Sequence, residues 1–243
     1  MLIQLFKAAL FYMGYVVLIA INSIACCLLF FLPLTNRQRL GTLSSRLMMN
    51  WLKLTCNIRI VVTGLQNIPD KPCVVVSNHQ SSWETFYLQR LLKPASVIVK
   101  RELLWMPLFG WALALSGPIA IRRSHPIAAL RQVLKQGRNC LNKGSNVIVY
   151  PEGSRSPAGK LKPYKASAAA LAVAAQVPIL PIAHDSGSCW PAHRFIKHAG
   201  TITVRIGEPI ETHFHSPKKL TSMAHVWCSS ALRADAAAIR YLG

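Results

Sequence analysis

Val74-Val75-Val76-Ser77-Asn78-His79-Gln80-Ser81-Ser82-Trp83-Glu84 joins an apolar run to an amphipathic one across a polar turn. Cys73–Ser77 is short, rich in valine and bounded by Pro72 and Asn78, which is how a buried strand reads. Residues 81–92 read as a helix. A strand entering a helix this way is half of a βα unit, and it puts His79 in the loop at the strand's end, where binding and catalytic groups often sit.

The pattern continues outward from this unit. Residues 57–63 alternate apolar and polar side chains, as a half-buried strand does. Further strands are expected at 96–100, 118–121, 146–150, 178–183 and 201–206. Helices are expected at 126–141, 164–175 and 217–241, with 102–115 as a helix broken at Pro107. Strands alternating with helices imply an α/β fold, a sheet covered by helices.

Histidine as a residue type titrates near neutrality, so at position 79 it can take a proton from a hydroxyl. Glu84 lies one helical turn into the next element and can face back toward the loop. There its carboxylate would fix the imidazole tautomer. Ser81-x-x-Glu84 also has the form of a helix capping box, in which Glu84 serves only its own helix. The local sequence leaves both readings open. A second polar turn, Tyr150-Pro151-Glu152-Gly153-Ser154-Arg155-Ser156, follows the strand Val147-Ile148-Val149. Gly153 permits close backbone approach, Ser154 adds a hydroxyl, and Arg155 presents a planar fork of donors suited to phosphate oxygens.

The amino-terminal region differs from the rest. No residue from Ala8 to Asn36 is charged, and a bilayer span needs roughly 20 apolar residues. The run exceeds the roughly 7–15 residues of a signal-peptide core, so it is expected to be retained as a membrane helix ended by Pro33. Lys7 precedes it, and Arg37, Arg39, Arg46, Lys53 and Arg59 follow, which favours a cytoplasmic placement of the remainder. Leu40, Leu43, Leu47, Trp51 and Leu54 share one face of a second helix, with Arg39, Arg46 and Lys53 off it. That face suits either the headgroup boundary of a membrane or packing on the domain. Residues 1–54 are therefore expected to form a membrane-anchoring helical segment, and 55–243 the α/β domain.

There are 28 Lys and Arg against 8 Asp and Glu, a net charge of +20, and no acidic residue precedes Asp70. Such a charge needs an anionic partner. With a membrane segment present, anionic lipid is favoured over nucleic acid, for which no zinc-finger or ribonucleoprotein motif appears. The seven cysteines are odd in number and contain no CxxC pair, in keeping with free thiols. His213-Phe214-His215 lacks the carboxylate or thiolate that would complete a metal site. No Gly-x-Ser-x-Gly elbow is present.

Asn78-His79, four residues, then a carboxylate at Glu84, together with Tyr150-Pro151-Glu152-Gly153-Ser154-Arg155, resemble the phospholipid/glycerol acyltransferase family. Tyr150, Ser154 and Glu84 stand where that family usually has Phe, Thr and Asp. Lys100-Arg101-Glu102-Leu103 leading to Gly117-Pro118-Ile119-Ala120-Ile121-Arg122-Arg123, and Val177–Ala183, are similar to its other two blocks. The resemblance implies a mixed sheet and transfer of a fatty acyl group to the sn-2 hydroxyl of 1-acyl-sn-glycerol 3-phosphate. The donor would be acyl-CoA or acyl carrier protein, with no metal or prosthetic cofactor. It implies catalytic roles for His79 and Glu84 and substrate binding by Lys100, Arg123, Glu152, Gly153, Ser154 and Arg155. It also implies a lysophospholipid acceptor, a cell inner membrane location and a cytoplasmic catalytic domain. Another lysolipid acceptor, such as a lyso-ornithine lipid, and a non-catalytic basic protein that binds anionic lipid are the alternatives.

Overall fold

The computed structural model describes residues 2–122 and 124–241, with side chains up to residue 234. Two long helices come first, α1 (Leu2–Leu28) and α2 (Leu34–Cys56). The strands are β1 (Ile58–Thr63), β2 (Val74–Ser77), β3 (Ala95–Lys100), β4 (Ile119–Ile121), β5 (Asn146–Val149), β6 (Ile179–His184) and β7 (Gly200–Ile206). Between and after them lie α3 (Trp83–Leu91), α4 (Phe109–Leu115), α5 (Pro126–Asn142), α6 (Ser167–Ala175), the short α7 (Ser186–Cys189) and α8 (Pro217–Tyr241).

The seven strands form one mixed sheet in the order β1-β7-β6-β2-β5-β3-β4. β6, β2, β5, β3 and β4 run parallel, each with its neighbour. β7 is antiparallel to β6, and β1 is parallel to β7. The carboxyl ends of the five parallel strands therefore share one edge, where ligands of open α/β sheets bind.

Both sheet faces are covered, so the central strands read as continuous apolar runs rather than alternating ones. Val75 points into a core with Leu180, Ile182, Trp83, Leu88, Met48, Leu52 and Phe11. Val74 and Val76 point the other way, against Val133, Leu171, Leu220 and Ala224. Phe11, Met48 and Leu52 thus make the amino-terminal helices part of the same packed body as the sheet.

Three expectations change. The uncharged run Ala8–Asn36 is not one helix: α1 stops at Leu28, and Pro33 occupies the N-cap position of α2. Proline's missing N–H breaks no helical bond there. The region around Pro107 is a 3₁₀ turn, Arg101–Trp105, followed by α4, rather than one interrupted helix. The helix expected over 164–175 begins only at Ser167, since 164–166 runs on from the preceding loop.

α1 and α2 form an antiparallel hairpin. Near its base the Trp51 indole N–H donates to the Phe11 carbonyl at 3.2 Å. A Cβ on Gly14 would collide with the Trp51 ring, so the absence of a side chain there permits the close crossing. α2 presents two faces. Ser45, Met48, Met49, Leu52 and Cys56 are buried against the domain. The face read from sequence keeps Leu43, Leu47 and Leu54 uncovered, at 55%, 48% and 77% exposure.

Candidate active site

β2 ends at Ser77, and the next residue is locked before the chain turns. The Asn78 side-chain amide donates to the His184 carbonyl at 2.8 Å, and the His184 backbone N–H donates to Asn78 Oδ1 at 3.0 Å. The His184 ring adds a third bond, from Nε2 to the Asn78 carbonyl at 2.9 Å. A carbonyl only accepts, so Nε2 carries the hydrogen. Burial, then repulsion from His79, lowers the His184 pKa against the pull of Glu84 and Glu152, which keeps the ring neutral.

His79 leaves this anchor with its ring toward Glu84. Nδ1 lies 2.7 Å from Glu84 Oε1, and the side chain of Glu84 is completely buried. The same oxygen accepts the backbone N–H of Gln80 at 3.0 Å and of Ser81 at 2.9 Å. Oε2 accepts the Ser186 hydroxyl at 3.1 Å. Glu84 therefore does not serve only its own helix start: the same oxygen that accepts the Ser81 N–H also holds the imidazole. Burial alone would raise its pKa. The His79 bond, the neighbouring His184 and the Ser81 amide outweigh burial and hold it below the usual carboxylate value.

An ionised Glu84 can only accept, so Nδ1–H of His79 is the donor and Nε2 is left with its lone pair. Among the described residues Nε2 has no protein partner, and the side chain is 15% exposed. This is the arrangement of a general base whose orientation and tautomer are set by a buried acid.

The loop after β5 closes on His79 from the neighbouring strand. Glu152 Oε1 accepts the His79 backbone N–H at 2.8 Å, and the Ser156 N–H donates to the His79 carbonyl at 2.7 Å. Glu152 Oε2 accepts the Ser156 hydroxyl and the Lys162 backbone N–H. Glu152, expected at the substrate, therefore directs both oxygens to this chain's own donors. Gly153 has φ +75°, a left-handed conformation that favours glycine, and a Cβ there would come 3.3 Å from the Lys165 ammonium.

Arg155 donates from Nε to the Ser81 carbonyl at 3.0 Å, tying the two motif loops together. That bond uses only one edge of the guanidinium. Ser154 is exposed and accepts from the Lys162 ammonium at 2.8 Å, and Lys162 also donates to the Arg155 carbonyl at 3.0 Å. Lys100 is exposed at the carboxyl end of β3. Since β5 lies between β2 and β3, Lys100 sits two strands from the strand of His79 on the same edge. Arg123 lies outside the described residues.

Four residues escaped sequence reading. His184 and Ser186 approach from more than 100 positions away, and no local motif marks them. Lys162 follows the Glu152–Arg155 block as one of several lysines, with no spacing rule to single it out. Tyr150 was legible only as a substitution within its motif, yet its ring stacks on His79, with centroids 4.4 Å apart and planes 19° from parallel. A cleft between the α1–α2 hairpin and α3–α4 is lined by none of His79, Glu84 or Arg155.

Comparison with known proteins gives the family of the chain. A family model described as Acyltransferase matches residues 59–185, a span from β1 to just past β6 that contains His79, Glu84, Lys100 and the loop after β5. The chain is 47% identical over 186 residues to a 1-acyl-sn-glycerol-3-phosphate acyltransferase of Pseudomonas aeruginosa, covering 75% of this chain and 72% of that protein. It is 35% identical over 224 residues to the human 1-acyl-sn-glycerol-3-phosphate acyltransferase alpha, covering 90% of this chain and 76% of that one. The fold is similar to the crystal structure of the 1-acyl-sn-glycerophosphate acyltransferase PlsC from Thermotoga maritima, with a TM-score of 0.81 and 25% identity over 95% of each chain. The His79 imidazole held by buried Glu84 thus sits inside the matched span, and the chain belongs to the acyltransferase family.

Proposed function

We propose that this protein transfers a fatty acyl group from acyl-CoA or acyl carrier protein to the sn-2 hydroxyl of 1-acyl-sn-glycerol 3-phosphate, making phosphatidic acid. The observation that carries the reading is the outward Nε2 of His79, whose other nitrogen is held at 2.7 Å by Glu84. In this mechanism the acceptor hydroxyl gives its proton to Nε2 and its oxygen attacks the thioester carbonyl carbon. The carbon–sulfur bond breaks, and the leaving thiolate takes the proton from the imidazolium. Donor and acceptor are bound together, and no acyl-enzyme forms. Arg155, Lys162 and Lys100, with Arg123, hold the acceptor phosphate as charge-assisted donors. The names of the relatives at 47% and 35% identity support the choice of acceptor.

The amino-terminal hairpin places this chemistry at a bilayer. Leu2, Ile3, Phe6, Met13, Val16, Val17, Ile21 and Leu28 are uncovered along α1, as are Leu43, Leu47 and Leu54 along α2. α1 is long and apolar enough to cross a membrane. It is also docked on the rest of the chain, with the Phe11 ring 5.0 Å from that of Trp190 and with Ser23 and Cys26 buried toward its carboxyl end. A helix docked in this way carries the domain with it. The hairpin therefore lies in one leaflet, with exposed Arg39, Arg46 and Lys53 toward anionic headgroups. The membrane is the cell inner membrane, approached from the cytoplasm.

The test is purified protein in nanodiscs with labelled oleoyl-CoA and a panel of acceptors: 1-acyl-sn-glycerol 3-phosphate, lysophosphatidylcholine, lysophosphatidylethanolamine and a lyso-ornithine lipid. Labelled phosphatidic acid is the expected product by mass. Label appearing only in another lipid would reassign the acceptor, and no transfer to any of them would end the reading.

A further inference from the structure

Tyr150 lies against the catalytic base without bonding to it. Its ring is stacked on the His79 imidazole at 4.4 Å between centroids, and its hydroxyl is buried with no hydrogen-bond partner among the described residues. A tyrosine kept only for its hydroxyl would not leave it orphaned. What the position uses is the flat face of the ring. That face carries the negative end of the aromatic quadrupole, which attracts a cation held over it within about 6 Å.

His79 becomes such a cation once per turnover, when Nε2 takes the acceptor's proton. We propose that Tyr150 is a positioning residue that holds the imidazole plane parallel to its own and stabilises the imidazolium from the face, while Glu84 does so from the edge. This inference rests on the acyl-transfer reading for its place in the cycle. The contact itself does not depend on which lipid is the acceptor.

The groups around His79 divide cleanly. From α3, Glu84 bonds Nδ1. From the end of β6, neutral His184 reaches Asn78 and repels a charge on His79. From the loop after β5, Glu152 bonds the His79 backbone, and Arg155 bonds the Ser81 carbonyl at 3.0 Å. Tyr150 supplies the one aromatic face stacked on the imidazole among the described residues. Burial, then the charge of Glu84, pushes its phenol well above the ordinary value of 10.0, so it stays neutral and presents a ring rather than a phenolate.

The test keeps the shape of the ring and changes its charge. Phenylalanine and its mono-, di- and trifluorinated analogues are incorporated at position 150, with Tyr150→Phe as the reference of the series. Two readouts follow: the titration midpoint of His79 by ¹³C NMR of histidine-labelled protein in nanodiscs, and the acid limb of kcat/KM against pH. Each added fluorine is expected to move both to lower pH, by about half a unit to one unit across the series, with kcat falling about fivefold. Tyr150→Leu should move them in the same direction. A His79 midpoint that stays fixed along the fluorinated series overturns the proposal, even if kcat changes. The NMR midpoint is read without turnover, so absence of acyl transfer in the wild type would count against the proposed function and leave this test standing.

Discussion

Glu84 Oε1 sits 2.7 Å from His79 Nδ1 while also accepting the amide hydrogens of Gln80 and Ser81. The start of α3 and the orientation of the His79 ring are thus one structure: the helix cannot shift without moving the imidazole. The carboxylate is fully buried yet ionised, because donors meet both of its oxygens.

Replacing Glu84 with Gln keeps the size of the side chain but removes the charge that fixes the imidazole tautomer. A fall in kcat of about 10²–10⁴-fold is expected, with little change in the KM of either substrate. Steady-state kinetics on lysophosphatidic acid checks this. His79→Ala should abolish transfer while vesicle binding and the circular dichroism spectrum remain those of wild type. Activity within a few-fold of wild type would remove His79 from its role.

Arg155→Ala should act on the acceptor. Losing a charge-assisted contact to a phosphate is worth about 1.5–3 kcal/mol, roughly 10–100-fold in acceptor KM. The donor KM should stay near its wild-type value. A change confined to donor kinetics would place the phosphate elsewhere.

Glu152→Gln tests a brace rather than a substrate contact. The Glu152 carboxylate accepts from the His79 N–H, the Ser156 hydroxyl and the Lys162 N–H. An amide in its place turns one acceptor into a donor facing a donor, at a cost of about 1–3 kcal/mol. Both the melting temperature and kcat should fall. An unchanged melting temperature with a raised acceptor KM would instead make Glu152 a ligand of the substrate.

Leu43, Leu47 and Leu54 are mostly exposed on α2. Changing all three to Ser should leave thermal stability in detergent within about 1.5 kcal/mol of wild type, about 0.5 kcal/mol for each exposed site. Binding to vesicles containing phosphatidylglycerol should weaken by at least tenfold, since burying each leucine contributes about 1.5–3 kcal/mol. Co-sedimentation reads the partition.

Lys197 carries a pH signature. Its ammonium donates to the Tyr12 hydroxyl at 2.7 Å and to the Arg194 and Phe195 carbonyls. Burial, opposed by nearby Cys56, lowers its pKa from 10.5 to about 8. The unfolded chain therefore binds more protons than the folded one between those values, and this lysine makes stability rise with pH across that window. In Lys197→Met that contribution should vanish, so the slope of unfolding free energy against pH from 8 to 10.5 becomes less positive than in wild type. Equal slopes would show that the lysine keeps its ordinary affinity for protons.

The pairing of His79 with Glu84 was readable because both lie within one strand–loop–helix unit, where spacing alone fixes what can meet. The same holds for the loop from Glu152 to Arg155 and for the places of the strands, since periodicity and turn residues are local properties of a chain. The uncharged amino-terminal run and the strong positive charge were also plain in the sequence, since composition needs no tertiary structure to be read.

Other features were decided only by packing. The uncharged run could have been one long helix; it folds back because Phe11 and Leu52 enter the core of the sheet and Gly14 admits Trp51. β7 runs antiparallel to β6, and Asn78 meets His184 across a separation of 106 residues. The Tyr150 ring reaches His79 because β5 is the neighbour of β2. Such contacts join segments whose separation along the chain is large. They depend on strand order and on the fit of both faces of the sheet, and no period or spacing within one segment encodes those.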